Sequence, residues 1–299
     1  MEEKIEILSV ELLEHERSRV EELKKLARQL NLEFGWHYLL DLVWILKHLD
    51  GISGWRILDA GAGVGVMQWY LAQHGAQVIS VDRESRAHLA ARFRRKFQVA
   101  GLRDVDLCQL DQMPVSGQKG LTGSVKSALK HLIESGEDLF TAPLVQNQQG
   151  LVLLYNQDLR QMIDIPDVSL DAVVAVSALE HNSLNDLQLV VNELMRVLKP
   201  GGPLLATLGA APHDDWFHEP SKGWCYTEAS LRKAFDFSIE VPSNYGEFDK
   251  LMTALVNCQA LQDNLASFYF RSGENGMPWG VWDPQYQSVG VCKIKQHGL

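Results

Sequence analysis

The sequence predicts an α/β fold in which helices flank a doubly wound, mostly parallel sheet. Apolar residues make up 46% of the 299-residue chain and charged residues 22%, which is the composition of a globular protein with a large core. From Trp55 onward, short apolar runs alternate with helical patterns, and this alternation favours parallel pairing with right-handed crossovers. The first run leads into a glycine-rich turn at 61–65, a position where such sheets bind ligands.

Residues 1–50 are expected to form a helical cap that precedes this alternation. Apolar residues recur at helical spacing between Val10 and Leu30 among dense charge, which predicts an amphipathic helix. A second helix is expected over His37–Leu49, because Asp50-Gly51 is a typical helix end. The main domain is expected over 51–299. It contains an insertion at about 101–150 and an excursion on the substrate side at about 242–287.

The main domain contains segments with the apolar character of buried strands: 56–60, 77–82, 151–155, 170–176, 203–208 and 288–295. Helical spacing is found between or after them: 66–73, 85–99, 125–135, 187–198 and 228–235. Lys199-Pro200-Gly201-Gly202 ends the helix at 187–198, because proline and glycine terminate helices. The regular alternation of strands and helices is what a doubly wound sheet requires.

The turn at 61–65 has the character of a ligand-binding turn. It reads Asp59-Ala60-Gly61-Ala62-Gly63-Val64-Gly65 between a strand and a helix. Small residues let the backbone approach a ligand, and the following helix presents unpaired N–H groups. A nicotinamide fingerprint would place its third glycine at Val66, so the spacing favours a different nucleotide.

Asp82 closes the second strand of the main domain. It lies about 20 residues after the glycines, where a carboxylate can accept hydrogen bonds from both hydroxyls of a ribose. Asp82 could also cap the helix that follows it.

These two motifs belong to an ordered set that resembles class I S-adenosylmethionine-dependent methyltransferases, in particular the type 11-like group that acts on small molecules. The other motifs are Asp158-Leu159, Leu170 to His181 and Leu198 to Gly202. The resemblance implies a Rossmann-like sheet of seven strands and S-adenosylmethionine as the cofactor. It also implies methyl transfer to an oxygen, nitrogen or carbon atom of a small-molecule acceptor.

The resemblance further implies a set of cofactor-binding residues: Asp59, Gly61, Ala62, Gly63, Asp82, Arg83, Asp158, Leu159 and Ser177. Asp59 would orient the methionine amino group, and Ser177 would offer its carbonyl to the same group. Asp82 would hold the ribose. Asp158 and the backbone N–H of Leu159 would bind the adenine.

Candidates for catalysis follow the fourth and fifth core strands. His181 could deprotonate the acceptor, or it could only shape the turn with Glu180. His218 and Tyr226 are further candidates that would line the acceptor pocket. His213 to Glu219 could bind a divalent metal, but such runs are more often polar loops, so no metal site is predicted. Trp36-His37-Tyr38 could form a lid over the cofactor or pack in the core.

Two other functions share these features. A nicotinamide-dependent reductase would also use a glycine-rich turn and Asp82, but the chain contains no Tyr-x-x-x-Lys pair. A non-catalytic protein that binds S-adenosylmethionine as a sensor or scaffold would retain Asp59, Gly61, Gly63 and Asp82 as well.

Composition argues against several other classes of protein. With 28 Lys and Arg against 38 Asp and Glu, the net charge of −10 disfavours nucleic acid, and the basic stretch at 92–96 is interpreted as a solvated helix face. The four cysteines form no Cys-x-x-Cys pair, which argues against zinc or disulfide frameworks. Neither a signal peptide nor a membrane-spanning run is predicted, so a cytoplasmic protein is expected.

Overall fold

The computed structural model describes residues 1–108 and 150–296. The predicted helix at 125–135 and most of the predicted insertion lie outside these residues. The described part forms a central sheet with helices on both of its faces. This arrangement confirms the prediction of a doubly wound α/β fold.

The strands are β1 (Lys4–Ile7), β2 (Arg56–Ala60), β3 (Gln77–Asp82), β4 (Gln98–Gly101), β5 (Leu151–Asn156), β6 (Ala172–Val176), β7 (Pro203–Ala210), β8 (Trp216–His218), β9 (Gly223–Tyr226) and β10 (Gln287–Ile294). Their order is β1-β10-β7-β6-β2-β3-β5-β4, and β9 joins β7 and β8 off this path. Pairing is parallel from β4 to β7 and antiparallel where β10 and β1 follow.

The expected count of seven strands is wrong, because the sheet of the described residues has 10 strands. Four strands were not predicted: β1, β4, β8 and β9. Each has three or four residues, which is too short to display a clear alternation of apolar and polar side chains. The prediction of a helix over 85–99 is also wrong at both ends, because only Ala91–Lys96 is helical and Phe97 is extended.

The helices are α1 (Leu12–His15), α2 (Arg17–Gln29), α3 (Tyr38–Lys47), α4 (Val66–Gln73), α5 (Ala91–Lys96), α6 (Leu184–Val197), α7 (Glu228–Ala234), α8 (Phe248–Val256) and α9 (Gln259–Gln262). Short 3-10 turns lie at Asp104–Asp106, Leu179–His181, Tyr245–Glu247, Ser267–Phe270 and Pro278–Gly280. The single helix expected between Val10 and Leu30 is two helices, because Glu16 leaves helical geometry with φ −106° and ψ 29°. No helix within the two described ranges is long and apolar enough to cross a membrane.

Two apolar cores cover the two faces of the sheet. One core contains Leu23, Trp44 and Trp69 from the amino-terminal helices and α4. The other contains Leu194 of α6 and Phe235, which follows α7. Because both faces are covered, the central strands are buried almost throughout, as parallel sheets require.

The topology brings the predicted ligand-binding motifs to one edge. β2 lies between β3 and β6, so the carboxyl ends of these three parallel strands are neighbours. The glycine turn follows β2, Asp82 ends β3, and Ser177 follows β6. This is the edge at which doubly wound sheets bind their ligands.

Gly290 of β10 lies directly beneath the buried indole of Trp44, and this contact generates a stability prediction. A Cβ at position 290 would lie 2.4 Å from Cε2 of Trp44. We expect Gly290→Ala to lower the free energy of unfolding by about 1–3 kcal/mol, the scale of overpacking, in urea titrations. Gly246→Ala is the control, because a Cβ there meets no atom of the described residues within 4 Å. Equal stability of the two variants would contradict the contact.

Candidate functional site

A cavity of about 560 Å³ opens at the carboxyl ends of β2, β3 and β6, and we call it the edge cavity. Its lining includes every residue predicted to bind the cofactor: Asp59, Gly61, Ala62, Gly63, Asp82, Arg83, Asp158, Leu159 and Ser177. His181 also lines it, whereas His218 and Tyr226 do not. The structure therefore brings the residues predicted to bind the cofactor to one cavity, together with one of the three catalytic candidates.

The glycine turn is held tightly between two strand ends. The N–H groups of Gly61 and Ala62 donate to the carbonyl of Val81 at 2.9 and 3.0 Å. Gly61 has φ +70°, and a Cβ on it would lie 2.4 Å from Cβ of Ala178. A residue with a side chain at position 61 would therefore be strained in its backbone and would clash with the end of β6.

Asp82 binds the turn directly. Its Oδ2 accepts a hydrogen bond from the N–H of Gly63, and its Oδ1 accepts one from the N–H of Glu84, both at 2.8 Å. The alternative that Asp82 caps the following helix is wrong, because that helix begins only at Ala91. The carboxylate thus lies within hydrogen-bond distance of the glycine turn, in the lining of the edge cavity.

Three buried side chains support the turn, and none of them was predicted to do so: Arg86, Gln68 and Ser80. The guanidinium of Arg86 donates to the carbonyls of Gly63 at 3.0 Å and Ser80 at 2.6 Å. The side-chain amide of Gln68 donates to the carbonyl of Gly65 at 3.1 Å and accepts from the hydroxyl of Ser80 at 2.7 Å. The carbonyls of Gly63 and Gly65 are therefore already hydrogen-bonded to protein side chains. The signal for Gln68 was its polar side chain in the otherwise apolar start of α4.

Asp59, the last but one residue of β2, is almost completely buried, with 2% of its surface exposed. Burial raises the pKa of its carboxyl to about 7, while nearby Asp82 adds to the rise and Arg86 opposes it. A buried carboxyl of this kind favours a cationic ligand group, because a nearby positive charge stabilises its ionised form.

Asp158 lies at another part of the edge cavity and is paired with Arg160. Nη2 of Arg160 is 2.7 Å from Oδ2 of Asp158, and Nε is 3.0 Å from Oδ1. The hydrogen bonds from Arg160 hold the pKa of Asp158 below its ordinary value. Arg160 also donates to Asp186 at 3.1 Å. The Asp158 carboxylate is therefore ionised and oriented.

Ser177 occupies an unusual backbone conformation at the end of β6. Its φ of +43° lies in the left-handed region, which side-chain-bearing residues rarely adopt. Its N–H donates to the carbonyl of Thr207 in β7 at 3.1 Å, which holds this conformation. Such local strain is concentrated at functional sites.

A second cavity of about 400 Å³ adjoins the first, and we call it the aromatic cavity. The two cavities share four lining residues: Glu33, Tyr38, Ser177 and His181. Aromatic rings form much of the second lining: Trp36, Tyr38, Phe268, Tyr269 and Tyr286. The polar members of the lining include His37, Glu180 and His218. The segment Trp36-His37-Tyr38, considered as a lid or as core, thus lines a cavity while being largely buried.

A chain of buried polar groups runs behind the aromatic cavity. The hydroxyl of Tyr286 is 3.1 Å from Nε2 of His37, and Nδ1 of His37 is 2.6 Å from Oδ2 of Asp41. The hydroxyl of Ser177 donates to the same Asp41 oxygen at 2.9 Å. Asp41 and Tyr286 were missed from the sequence. Asp41 had a signal, because it is a single carboxylate four residues after His37 in an apolar helix.

The two candidate histidines differ in tautomer. Nδ1 of His181 is 2.9 Å from the carbonyl of Lys222, which can only accept, so Nδ1 carries the proton and Nε2 has a free lone pair. Nδ1 of His218 accepts from the N–H of Ser221 at 3.3 Å, so its proton is on Nε2. His181 can therefore accept a proton, and neutral His218 can donate a hydrogen bond.

Tyr226 does not reach either cavity. Only 1% of its surface is exposed, and its hydroxyl donates to the carbonyl of Asn182. The physical reason is that β9 pairs with β7, which places Tyr226 in the core. Asp215, from the run considered for metal binding, instead accepts from the N–H of Thr227 at 2.7 Å at the start of α7. Within residues 1–108 and 150–296, no cluster of three or more potential metal ligands is found.

Comparison with known proteins gives partial matches. A family model described as a methyltransferase domain matches residues 135–206. A ubiquinone biosynthesis O-methyltransferase of Idiomarina loihiensis is 24% identical over 163 residues, which cover 54% of this chain and 46% of that protein. Its counterpart from Acinetobacter baylyi is 34% identical over 64 residues, which cover 21% and 27%. The chain thus spans less than half the length of the curated relatives it matches.

Solved structures match the chain at low identity and with TM-scores below 0.5. The YcgJ protein from Bacillus subtilis is 16% identical, with 86% of this chain and 99% of that chain covered and a TM-score of 0.45. A 1,6-didemethyltoxoflavin-N1-methyltransferase from Burkholderia thailandensis is 12% identical, with 95% and 90% covered and a TM-score of 0.43. The chain is therefore similar to a methyltransferase domain over residues 135–206, and its described residues carry a glycine turn bound by Asp82 at the edge of a doubly wound sheet.

Proposed function

We propose that this protein transfers the methyl group of S-adenosylmethionine to a small-molecule acceptor. The observation that carries the proposal is the 2.8 Å hydrogen bond between the Asp82 carboxylate and the Gly63 N–H at the edge cavity. This bond supports the proposal because a carboxylate, which can accept hydrogen bonds from ribose hydroxyls, lies beside a turn that a nucleoside can approach closely. Methyl acceptors would enter from the adjoining aromatic cavity.

The residues of the edge cavity fit the chemistry of this cofactor. Its volume of about 560 Å³ lies in the usual range for small-molecule sites. We assign the methionine ammonium to Asp59 and the Ser177 carbonyl, the ribose to Asp82 and the adenine to Asp158 and Leu159. Gly61, Ala62, Gly63 and Arg83 complete the lining. When bound, the cofactor supplies an electrophilic methyl group on a sulfonium.

The aromatic cavity supports the acceptor side of the proposal. It meets the edge cavity at Ser177 and His181, so a molecule held there would be next to the cofactor site. His181 is exposed and has a free lone pair on Nε2, so we assign it to proton exchange with solvent. His218 would donate a hydrogen bond to the acceptor. Tyr226 is assigned a supporting role through Asn182.

The curated relatives are named O-methyltransferases of ubiquinone biosynthesis, so a phenolic hydroxyl is one acceptor class to consider. The side chains that line the aromatic cavity bear on the acceptor class independently of these relatives.

Loss of the Asp82 charge tests the ribose assignment. We expect Asp82→Asn to weaken binding of S-adenosylmethionine by about 1–3 kcal/mol, because it loses a charge-assisted hydrogen-bond acceptor. Isothermal titration calorimetry measures the affinity. Asp249→Asn is the matched control, because Asp249 is exposed and lines neither cavity. Equal affinity of both variants would refute the assignment.

The raised pKa of Asp59, about 7, predicts a pH-dependent affinity for the cofactor. Protonated Asp59 cannot pair with the methionine ammonium, so binding must first ionise it. The dissociation constant should therefore rise by about tenfold per pH unit as the pH falls below 7 toward 5. Titrations at several pH values measure this slope. Asp59→Asn should bind more weakly and without the slope, and a slope that persists in Asp59→Asn would exclude Asp59 as its source.

A further inference from the structure

We infer that the aromatic cavity binds an acceptor that carries an amine, and that Glu180 holds its ammonium group and takes its proton. This inference rests on the proposed methyl transfer and specifies the acceptor that the same site would use. It is carried by an unpaired buried carboxylate, by the charge of the cavity lining and by its aromatic rings.

The first observation is that Glu180 is buried without a full set of partners. Only 6% of its surface is exposed, and it lines the aromatic cavity. Its Oε2 has no hydrogen-bond partner among residues 1–108 and 150–296. Buried carboxylate oxygens are almost always hydrogen-bonded, because leaving one unpaired is destabilising. A ligand with a hydrogen-bond donor would supply the missing partner.

The second observation is the charge of the lining. The described residues that line the aromatic cavity include the carboxyl groups of Glu33, Glu180 and Glu274 but no lysine or arginine. Burial lowers the pKa of His218, and nearby His37 adds to this effect, so His218 is neutral near pH 7. An anionic acceptor would therefore meet no lysine or arginine in this lining, whereas an ammonium would meet a carboxylate.

The third observation is the aromatic surface. Trp36, Phe268, Tyr269 and Tyr286 contribute rings to the lining. Aromatic faces attract ammonium groups through their quadrupole, and this attraction is strongest at sites removed from water. Rings combined with a buried carboxylate favour a cation over a neutral hydroxyl compound of the same size.

Glu180 is held in place by its surroundings. It lies in the 3-10 turn Leu179–His181, which begins three residues after the end of β6. A Cβ on Gly223 would lie 3.0 Å from Cγ of Glu180, so the side chain packs against the backbone of β9. Its sequence neighbour His181, like Ser177, lines both cavities. The carboxyl group is therefore fixed next to the boundary between the cofactor and acceptor sites.

Glu180 is better suited to accept a proton than the buried tyrosine and cysteine side chains around it. Burial raises its pKa to about 8, with Asp41 adding to the rise and His37 opposing it. Burial also raises the pKa values of Tyr38, Cys225, Tyr226 and Tyr286, so these groups are neutral near pH 8. A carboxyl with this pKa is matched to removing a proton from an ammonium, since catalytic bases work best near the operating pH.

The proposed step is balanced. The ammonium gives one proton to the Glu180 carboxylate, and the freed nitrogen lone pair forms a bond to the methyl carbon. The bond between that carbon and sulfur breaks, and its electron pair stays on sulfur. The product is a protonated N-methylamine, and the proton on Glu180 then leaves to solvent.

A size-matched ligand series tests the charge preference. The protein is first saturated with S-adenosylhomocysteine, and phenethylamine, 2-phenylethanol and phenylacetate are then titrated by calorimetry. We expect phenethylamine to bind at least about tenfold more tightly than the other two, the scale of one charge-assisted contact. At pH 7 its binding should release about one proton from Glu180, measured in buffers of different ionisation enthalpy.

Two variants distinguish the effect of Glu180 from that of the other carboxylates in the lining. In Glu180→Gln the preference should fall to within about threefold and the proton release should vanish. Glu274→Gln removes an exposed carboxylate from the same lining; because solvent screens that charge, the preference should fall by no more than about twofold and the proton release should stay the same. Equal or tighter binding of phenylacetate by the wild-type protein, no binding of phenethylamine, or an unchanged preference in Glu180→Gln would overturn the inference. Failure of S-adenosylhomocysteine to bind would instead refute the proposed function, so the two failures are distinguishable.

Discussion

The hydrogen bond from the Gly63 N–H to the Asp82 carboxylate is the constraint on which the rest of the site depends. At 2.8 Å it joins the end of β3 to the turn after β2. Arg86 and Gln68 hold the turn through its carbonyls, so the turn is bound from both sides. The edge cavity is consequently formed in advance of ligand binding, which avoids the free-energy cost of ordering loops around a cofactor.

Hydrogen bonds hold polar groups in place around both cavities. In the edge cavity, Asp82 and Asp158 already have hydrogen-bond partners and remain oriented. Behind the aromatic cavity, the chain from Tyr286 through His37 to Asp41 is also hydrogen-bonded, and such buried networks are rigid. Oε2 of Glu180, which lines the aromatic cavity, has no hydrogen-bond partner in the described residues, and neither has Oδ1 of Asp41. The unpaired oxygen that borders a cavity is thus found at the aromatic cavity.

Local patterns were sufficient for the central strands and for the glycine turn and carboxylate that line the edge cavity. The bounds of β3 and α4, Gln77–Asp82 and Val66–Gln73, agree with the predicted ones because long apolar runs and a glycine turn define them. The four short strands, β1 among them, could not be predicted, since they are defined by pairing rather than by periodicity. The acceptor side also depends on distant contacts. His37 and Tyr286, for example, are 249 residues apart, and no local pattern joins them. Tyr226 was misjudged because its burial follows from the pairing of β9 with β7.

The central claim is that the glycine turn and Asp82 bind one nucleoside. Titration of the isotope-labelled protein with S-adenosylhomocysteine, followed by amide NMR, tests it most directly. The account predicts saturable shifts at Gly61, Gly63 and Asp82 with one ligand per chain, since the amide of Gly63 is already bonded to the Asp82 carboxylate. Absence of saturation, or shifts confined to residues outside the edge cavity, would contradict the account.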